Sequence, residues 1–344
     1  MTGGWIQYLA VFLSSATFCL FLVPLAIRLS WRIGSLDHPG GHKRQSSPVP
    51  YLGGVAIVLA FSVATMVASL IRPPNAGHRE LNVILAIALI LAAVGLLDDL
   101  KDLSPWVRIL VEISCGIVVW NLGVGVSLTG LNLVDYVLTI LWVVGITNAF
   151  NLLDNMDGLA AGVASIACAS YFAIAVTDDQ GFVATLAAGV IGCAVGFLRS
   201  NRYPARIYMG DGGALFLGFL VAYLGLKLKV AGDGYQTFLV PLLVCLIAIL
   251  DTTVVVVSRL RSGKSPFQGG LDHTSHRLVH VGLPVPIAVG VIHLAALIAG
   301  ALAFICTRVD AVSVWIVGGM AGVSALGATV FFLAIPIYAE DRPS

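Results

Sequence analysis

The stretch "LNVILAIALILAAVGLLDDLKDLSP" (residues 81–105) joins a long apolar run to a group of aspartates. The run over residues 81–97 contains no charged side chain, and its 17 residues reach the lower limit for a helix that crosses a bilayer. The chain as a whole is 58% hydrophobic and only 11% charged, whereas soluble domains carry about a quarter charged residues. The sequence therefore predicts an integral membrane protein in which this run is one transmembrane helix.

Apolar runs of similar length recur along the chain, and the polar stretches between them are too short to form a separate soluble domain. We therefore predict an all-α fold, a polytopic integral membrane helix bundle of about 11 transmembrane helices that forms one domain over residues 1–344. The first run lacks a basic region and a cleavage site of small residues, which favours a retained helix over a removed signal. The predicted helices cover residues 5–27, 51–71, 81–97, 107–124, 134–149, 159–177, 182–199, 213–229, 237–257, 285–306 and 312–338.

The lysines and arginines divide unequally between the two sets of loops and ends. Fourteen of the 19 fall on one side and five on the other, and cytoplasmic loops are the ones that carry an excess of Lys and Arg. We therefore expect the chain to lie in the plasma (inner) membrane, with its N-terminus outside and its C-terminus in the cytoplasm. The unusual polar motifs all fall on the predicted cytoplasmic side. The net charge of +1 gives no sign of a nucleic-acid partner.

Three aspartates close the third predicted helix. Asp98 and Asp102 are four residues apart and share a helix face, while Asp99 is turned about 100° away. Carboxylates that converge at a membrane surface can hold Mg²⁺, which prefers oxygen ligands, or can act as a base. The alternative is a solvated helix end, because a buried charge near the helix centre is costly and such residues lie at interfaces in any case.

The segment "NAFNLLDNMDGLAAG" (148–162) places Asn148, Asn151, Asp154 and Asp157 at intervals of three, with Gly158 after the last. Adjacent members face together on a helix, but all four converge only if the helix tightens or breaks, which Gly158 permits. Amide oxygens and carboxylates could complete a metal site or bind a nucleotide. The alternative is a helix cap together with interhelical hydrogen bonds.

Asp211 lies between glycines immediately before an apolar helix, in "MGDGG" (209–213). We expect the glycines to let a phosphate or a metal approach the backbone, and the start of a helix favours anions. Asp211 would be the metal-binding side chain, or else a simple helix cap. Arg202 and Arg206, just upstream, could contact phosphates or anchor the interface.

Two further basic groups lie in predicted cytoplasmic loops. His273, His276 and Arg277 form a compact cluster, in which arginine can bind phosphate oxygens in pairs. Alternatively, the histidines could bind zinc, although no cysteine or third strong ligand accompanies them. Lys43 and Arg44 precede the second helix, where they could bind a lipid phosphate or serve only to orient the chain.

Taken in order, five motifs resemble the polyprenyl-phosphate N-acetylhexosamine-1-phosphate transferase family (glycosyltransferase family 4). The resemblance covers roughly residues 35–285 and is nearest to the bacterial undecaprenyl-phosphate GlcNAc-1-phosphate transferases. It implies a reaction in which a polyprenyl phosphate attacks the β-phosphate of a UDP-HexNAc, giving the polyprenyl-diphospho-sugar and UMP. The motifs are "PVPYLGG" (48–54), "DDLKDLSP" (98–105), "NAFNLLDNMDGLAAG" (148–162), "MGDGGALFLGF" (209–219) and "DHTSHR" (272–277).

The resemblance also implies roles for individual residues. Asp211 and Asn151 match the family's Mg²⁺ ligands, with Mn²⁺ as an alternative ion. The matching catalytic carboxylates are Asp98, Asp99, Asp154 and Asp157. Asp98 or Asp99 would deprotonate or orient the lipid phosphate in a direct attack, and a covalent aspartyl intermediate is the competing mechanism. The candidate substrate contacts are Lys43, Arg44, Asp102, Arg108, Asn148, Arg202, Arg206, His273, His276 and Arg277.

One departure from the family pattern bears on the substrate. The related phospho-MurNAc-pentapeptide translocases carry a triple-histidine run where this chain reads "HTSHR" (273–277), which favours the GlcNAc branch and leaves translocase activity as the alternative. An intramembrane Mg²⁺-dependent prenyltransferase would use "DDLKD" but not the later motifs. A transporter would place its acidic groups near mid-membrane. The expected partners are UDP-HexNAc, polyprenyl phosphate and the lipid bilayer, and a homodimer is one assembly the chain could form.

Overall fold

The computed structural model describes residues 4–38, 47–73, 78–232 and 234–337, and these residues form helices and one short hairpin. The hairpin joins β1 (Leu36–Asp37) to β2 (Val49–Pro50) and is absent from the all-α prediction. The helices are α1 (Trp5–Ile33), α2 (Gly53–Ile71), α3 (Arg79–Lys101), α4 (Pro105–Asn121), α5 (Asn132–Leu153), α6 (Leu159–Thr177), α7 (Gly181–Asn201), α8 (Gly210–Lys227), α9 (Gly234–Val244), α10 (Leu246–Arg261), α11 (Thr274–His280), α12 (Val285–Cys306) and α13 (Ala311–Leu333).

The helices confirm a polytopic membrane bundle. Among the described residues, nine helices are long and apolar enough to cross a bilayer, or ten if α9 and α10 together make one span. Helix α4, with 17 residues, corresponds to another predicted span. The count of 11 crossings and the orientation of the chain stay predictions. The outward surface carries large apolar side chains such as Trp5, Phe21, Trp315 and Phe331, as expected for a surface that faces lipid.

The single helix predicted over residues 237–257 is two helices in the structure. In its place, α9 and α10 meet at Cys245 with a bend of 72°. Pro241 lies inside α9, and a proline removes one backbone donor and forces the preceding turn apart. After the bend, α10 leads into a long loop and then into the short helix α11. Neither of these continues the apolar pattern.

Helix α8 is the centre of the bundle and is nearly fully buried. It contacts α2 and α3 along what we call the glycine seam (Gly54 of α2, Gly95 of α3, and Gly212 and Gly213 of α8). A methyl group on Gly95 would lie 2.5 Å from the carbonyl carbon of Asp211, and one on Gly213 would lie 2.7 Å from Cα of Gly54. These distances are far below van der Waals contact, so only glycine fits. The seam brings the end of α3 and the start of α8 into direct contact.

The glycine seam gives Gly212 of the "MGDGG" motif a packing role. A Cβ at Gly212 would lie 2.8 Å from the carbonyl oxygen of Ala92, so this glycine serves helix packing on that side, and the approach of a phosphate to the motif stays a prediction. The segment that precedes α2 is hydrogen-bonded to the segment that precedes α8. Tyr208 donates its N–H to the Pro50 carbonyl oxygen at 2.7 Å, and Gly53 returns an N–H to the Tyr208 carbonyl oxygen at 3.0 Å. The "PVPYLGG" and "MGDGG" motifs are therefore in direct contact.

Candidate active site

The ends of α3 and α5 and the starts of α4 and α8 meet around four aspartates, which we call the carboxylate cluster (Asp98, Asp99, Asp154 and Asp211). Arg108, near the start of α4, joins two of its members. Its Nη1 atom donates to Oδ2 of Asp98 and, at 2.8 Å, to Oδ2 of Asp211. Little of the arginine is exposed to solvent. One guanidinium therefore neutralises two carboxylates that would otherwise repel each other.

Asp99 points away from Arg108 and toward the start of α8. Its Oδ1 atom accepts the backbone N–H of Asp211 at 3.2 Å, which is favourable because the N-terminus of a helix carries a partial positive charge. Gly210 has φ +70°, and a Cβ there would lie 2.6 Å from Oδ2 of Asp99. Asp99 thus positions the first turn of α8, which carries Asp211.

Asp102 does not join the cluster, although it was expected to share a helix face with Asp98. Helix α3 ends at Lys101, and Asp102 takes a left-handed conformation with φ +47° that leaves its side chain exposed. Asp98 caps this turn instead, because its Oδ1 accepts the backbone N–H of Leu103 at 2.6 Å. A substrate contact by Asp102 stays a prediction.

Asn151 and Asp211 face each other across α5 and α8, close enough for the amide to act on the carboxylate. The Nδ2 atom of Asn151 is buried and has no hydrogen-bond partner among the described residues. Rotation of this amide would turn its oxygen toward the same point as Asp211. A buried amide nitrogen without a partner, beside a carboxylate, is consistent with a site that receives a cation.

Within the described residues, no three His, Cys, Asp or Glu side chains are grouped as ligands of one metal ion. Mg²⁺ does not need such a group, because it is usually held by one or two carboxylates together with substrate phosphates and water. Asp211 and Asn151 would supply the protein ligands, so the donor set fits the ion.

Asp154, a member of the cluster, and Asp157 lie in the turn that follows α5. Part of the Asp154 side chain reaches the surface, but its carboxyl group is enclosed. This burial, followed by the negative charges of Asp211 and Asp99, raises the pKa of Asp154 to about 8. Asp157 is held by the N–H of Ala205 at 2.8 Å, which partly opposes the rise in its pKa caused by burial.

The raised pKa of Asp154 predicts a pH-dependent stability. The folded protein keeps a proton between about pH 4 and pH 8 that the unfolded chain releases, so the free energy of unfolding falls as the pH rises through this range. We expect Asp154→Asn to flatten this dependence by at most about 1.4 kcal/mol per pH unit. Thermal unfolding at pH 5 and pH 8 in EDTA measures it. The exposed Asp102→Asn variant is the control, and equal slopes in Asp154→Asn and the wild type would contradict the prediction.

Asn148 has a partner that sequence reasoning missed. Glu112 of α4 is fully buried, and its Oε2 atom accepts a hydrogen bond from Nδ2 of Asn148. Glu112 lies one turn beyond Arg108 on the same helix. The sequence alone could have indicated Glu112, because an ionisable residue inside an apolar span is by default a candidate for function.

A second buried polar group surrounds His273. Its Nδ1 atom lies 2.9 Å from Oδ2 of Asp251 on α10, and Asp251 also accepts the backbone N–H of Thr274 at 2.8 Å. Asp272 forms a two-point ion pair with Arg259 at 2.9 and 3.1 Å. Sequence reasoning missed Asp251, Arg259 and Asp272, although Asp251 interrupts an apolar run. These contacts fix the imidazole of His273 but do not bring it to the carboxylate cluster.

The loop that carries His273 is tied to the turn after α5. Ser275 donates to Oδ1 of Asn155 at 2.5 Å, and Asn155 donates from Nδ2 to the carbonyl oxygen of Leu152. Asn201 holds the same turn from the other side, because its Oδ1 accepts the N–H of Gly158 at 3.0 Å. The "DHTSHR" motif therefore lies beside the "NAFNLLDNMDGLAAG" motif, as the resemblance implies.

Arg277 was expected to contact a substrate phosphate, but the structure gives it other partners. Its side chain is 1% exposed. Nε donates to the carbonyl oxygen of Asp272 at 2.9 Å, and Nη1 donates to the carbonyl oxygens of Phe332 and Ile335 at 2.8 and 2.5 Å. Nη2 donates to Ser258 at 2.7 Å. Arg277 thus joins the loop to the end of α13, and the structure does not place it at the carboxylate cluster.

The Arg277→Met variant is expected to lower the thermal unfolding temperature in detergent. Loss of the guanidinium removes several buried hydrogen bonds at once, which should cost at least about 2 kcal/mol. Arg261→Met is the matched control, because Arg261 is exposed in the last turn of α10. A stable Arg277→Met protein that binds substrate poorly would instead support the predicted substrate contact.

The other candidate residues lie around the rim. Arg202 and Arg206 are exposed in the segment between α7 and α8, and Arg206 donates to Oγ of Ser200 at 3.3 Å. His276 is partly exposed, and its ring meets that of His273 edge to face at 6.1 Å. Lys43 and Arg44 lie outside the described residues. Their roles in binding substrate all stay predictions.

The fold and the buried polar centre together define a multi-pass membrane protein with an enzyme-like site at one end of its helix bundle. Residues 81–229 match the family described as "Glycosyl transferase family 4". The chain is 31% identical over 298 residues to a "Probable undecaprenyl-phosphate N-acetylglucosaminyl 1-phosphate transferase" of Bacillus subtilis (strain 168), covering 84% of this chain and 82% of that one. The chain therefore belongs to glycosyl transferase family 4, as the five motifs predicted.

Two more distant relatives carry similar descriptions. A "Decaprenyl-phosphate N-acetylglucosaminephosphotransferase" of Mycolicibacterium smegmatis is 28% identical over 289 residues, covering 74% of this chain and 71% of that one. An "Undecaprenyl-phosphate alpha-N-acetylglucosaminyl 1-phosphate transferase" of Escherichia coli (strain K12) is 26% identical over 325 residues, covering 90% and 85%. Both similarities extend over most of the helix bundle.

Proposed function

We propose that this protein transfers GlcNAc-1-phosphate from UDP-GlcNAc to a polyprenyl phosphate, releasing UMP and forming a lipid-diphospho-sugar. The names of the relatives support the reaction class. The structural observation that carries the proposal is the meeting of Asp98, Arg108, Asn151 and Asp211, which come from four different helices and form one partly buried polar centre. No packing requirement of an apolar bundle explains such a gathering.

The chemistry requires charge neutralisation more than covalent catalysis. Both substrates are anions, and phosphoryl transfer depends on positioning and on electrostatic stabilisation of the reacting phosphates. When bound, Mg²⁺ supplies this neutralisation to the diphosphate. Asp211 and Asn151 would hold the ion, and Arg108 is the basic side chain nearest to them. These contacts are between charged groups, and the low polarity of the bundle strengthens them.

In the proposed reaction the acceptor phosphate attacks directly. One of its oxygens forms a bond to the β-phosphorus, and the bond from that phosphorus to the bridging oxygen breaks, so that the bridging oxygen leaves with UMP. Asp98 or Asp99 would orient the acceptor; Asp98 accepts from Leu103 and Arg108, and Asp99 accepts from the backbone at the start of α8. A labelled phospho-protein trapped without lipid acceptor would instead support a covalent aspartyl intermediate.

We place this reaction at the cytoplasmic face of the plasma membrane. A polyprenyl acceptor stays in the lipid while a nucleotide sugar arrives from the cytosol, so the two meet only at that interface. The unequal distribution of basic residues supports this orientation of the bundle.

The proposal is tested by incubating the purified protein with undecaprenyl phosphate, Mg²⁺ and a panel of UDP-sugars while UMP release is followed. We expect release with UDP-GlcNAc and its loss when EDTA is added or when the lipid acceptor is omitted. Release with UDP-MurNAc-pentapeptide alone would favour the translocase reaction, and no release with any UDP-sugar would reject the proposed function.

A further inference from the structure

Two buried polar atoms on α4 have no hydrogen-bond partner among the described residues: Nε of Arg108 and Oε1 of Glu112. The first is a donor and the second is an acceptor. Arg108 and Glu112 are four residues apart, so their side chains leave the same face of the helix about 5–6 Å apart at Cβ. Each unpartnered group costs free energy when it is kept from water. The two are complementary, yet they do not meet.

Arg108 is instead drawn to the carboxylate cluster. Its Nη1 atom lies between Asp98 and Asp211, where the guanidinium is the cation that keeps these two carboxylates together. Oδ2 of Asp211, which accepts this hydrogen bond, belongs to the carboxylate that would bind a divalent ion. The guanidinium and such an ion therefore compete for the same negative charge.

Glu112 lies one turn beyond Arg108 on α4. One of its carboxylate oxygens accepts a hydrogen bond from Asn148 of α5, which fixes the side chain and leaves the other oxygen without a partner. Asn148 lies one turn before Asn151 on the same helix. A long, flexible arginine side chain can turn from the cluster toward Glu112 without any movement of the backbone.

We propose that Glu112 is a positioning residue that receives the Arg108 guanidinium when a divalent cation takes its place beside Asp211. This inference rests on the proposed function, because it presumes that the cluster binds such an ion. In the exchange, Arg108 pairs with Glu112 and satisfies both unpartnered atoms, while the two aspartates become available to the incoming cation. The buried charge of Arg108 has a partner in both arrangements.

The exchange is tested by Mn²⁺ binding to the purified, substrate-free protein, measured from the electron paramagnetic resonance signal of free Mn²⁺. Glu112→Gln removes the receiving charge and should weaken Mn²⁺ binding about tenfold or more, the usual effect of losing a residue that positions a ligand. Arg108→Met removes the competitor and should tighten binding. In the double variant the effect of Glu112→Gln should vanish, because no guanidinium remains to be received.

Other outcomes would overturn the exchange. If Glu112→Gln weakens Mn²⁺ binding equally with and without Arg108, Glu112 acts only as a nearby charge and the exchange is rejected. An unchanged Mn²⁺ affinity in Arg108→Met also rejects the proposal, as does a wild-type protein that binds no Mn²⁺. Should Glu112→Gln not fold, Glu112→Asp shortens the receiving side chain and enters the same cycle. Glu80→Gln is the control, since Glu80 pairs with Lys227 at the other end of α3. If the wild-type protein released no UMP while the variants changed Mn²⁺ binding as expected, the proposed function would be rejected but the exchange would still hold.

Discussion

Replacing Asp211 with asparagine is expected to abolish UMP release, with a fall of at least about 1,000-fold, or about 4 kcal/mol of transition-state stabilisation. Asparagine has the same shape as aspartate, so the packing against the glycine seam is retained. The negative charge is lost, and with it both the partner of Arg108 and the anionic ligand for the divalent ion. UMP release at saturating UDP-GlcNAc, with thermal unfolding measured in parallel, separates lost chemistry from lost structure.

A matched variant controls for the loss of a paired carboxylate. Asp178 forms an ion pair with Arg308 at 2.7 Å, at the opposite end of the bundle from the cluster. Asp178→Asn therefore removes an aspartate–arginine pair of the same kind and should leave UMP release within about twofold of wild type, because exposed pairs contribute little. Full activity in Asp211→Asn would remove Asp211 from the proposed metal site.

The second large effect is expected from Gly95→Ala, a change that adds one uncharged methyl group. The new Cβ would lie 2.5 Å from backbone atoms of Asp211 and Gly212, and backbone cannot move aside as a flexible side chain can. Overpacking of this kind costs about 1–3 kcal/mol or more. Displacing Asp211 by about 1 Å should also reduce activity about 100-fold. Both losses should appear together.

Gly145→Ala is the control for this prediction. A Cβ at Gly145, on α5, would meet no other residue within 4 Å, and alanine is the better helix former by about 0.5–1 kcal/mol. We expect it to keep activity and to unfold at an equal or higher temperature. The prediction is contradicted if Gly95→Ala unfolds at the wild-type temperature and releases UMP at the wild-type rate.

The helix bundle was largely predictable because its cause is local. Each apolar run must satisfy its own backbone hydrogen bonds in lipid, so length and composition are enough to indicate a helix. The 72° bend between α9 and α10 was not, because the apolar pattern continues across Cys245 and a proline inside a membrane helix does not always break it. The two-residue strands Leu36–Asp37 and Val49–Pro50 are too short to give an alternating pattern that could be recognised.

The site was predictable only in part, for a different reason. The aspartates could be identified as candidates, but a side chain's partner depends on how distant helices pack. Arg277 and Asp99 illustrate this: both were expected at substrate, yet one binds carbonyl oxygens near the end of α13 and the other binds the backbone of α8. Glu112 and Asp251 were overlooked because each stands alone in an apolar run, without a neighbouring motif.

The glycine seam also decides where the molecule can open. Helices α2, α3 and α8 touch so closely that none of them can slide or tilt past another without a backbone collision. A nucleotide sugar must nevertheless enter, and a product with a long tail must leave. Any opening at this end of the bundle must therefore come from helices outside the seam, while Asp98, Asp99 and Asp211 keep a fixed relation to one another.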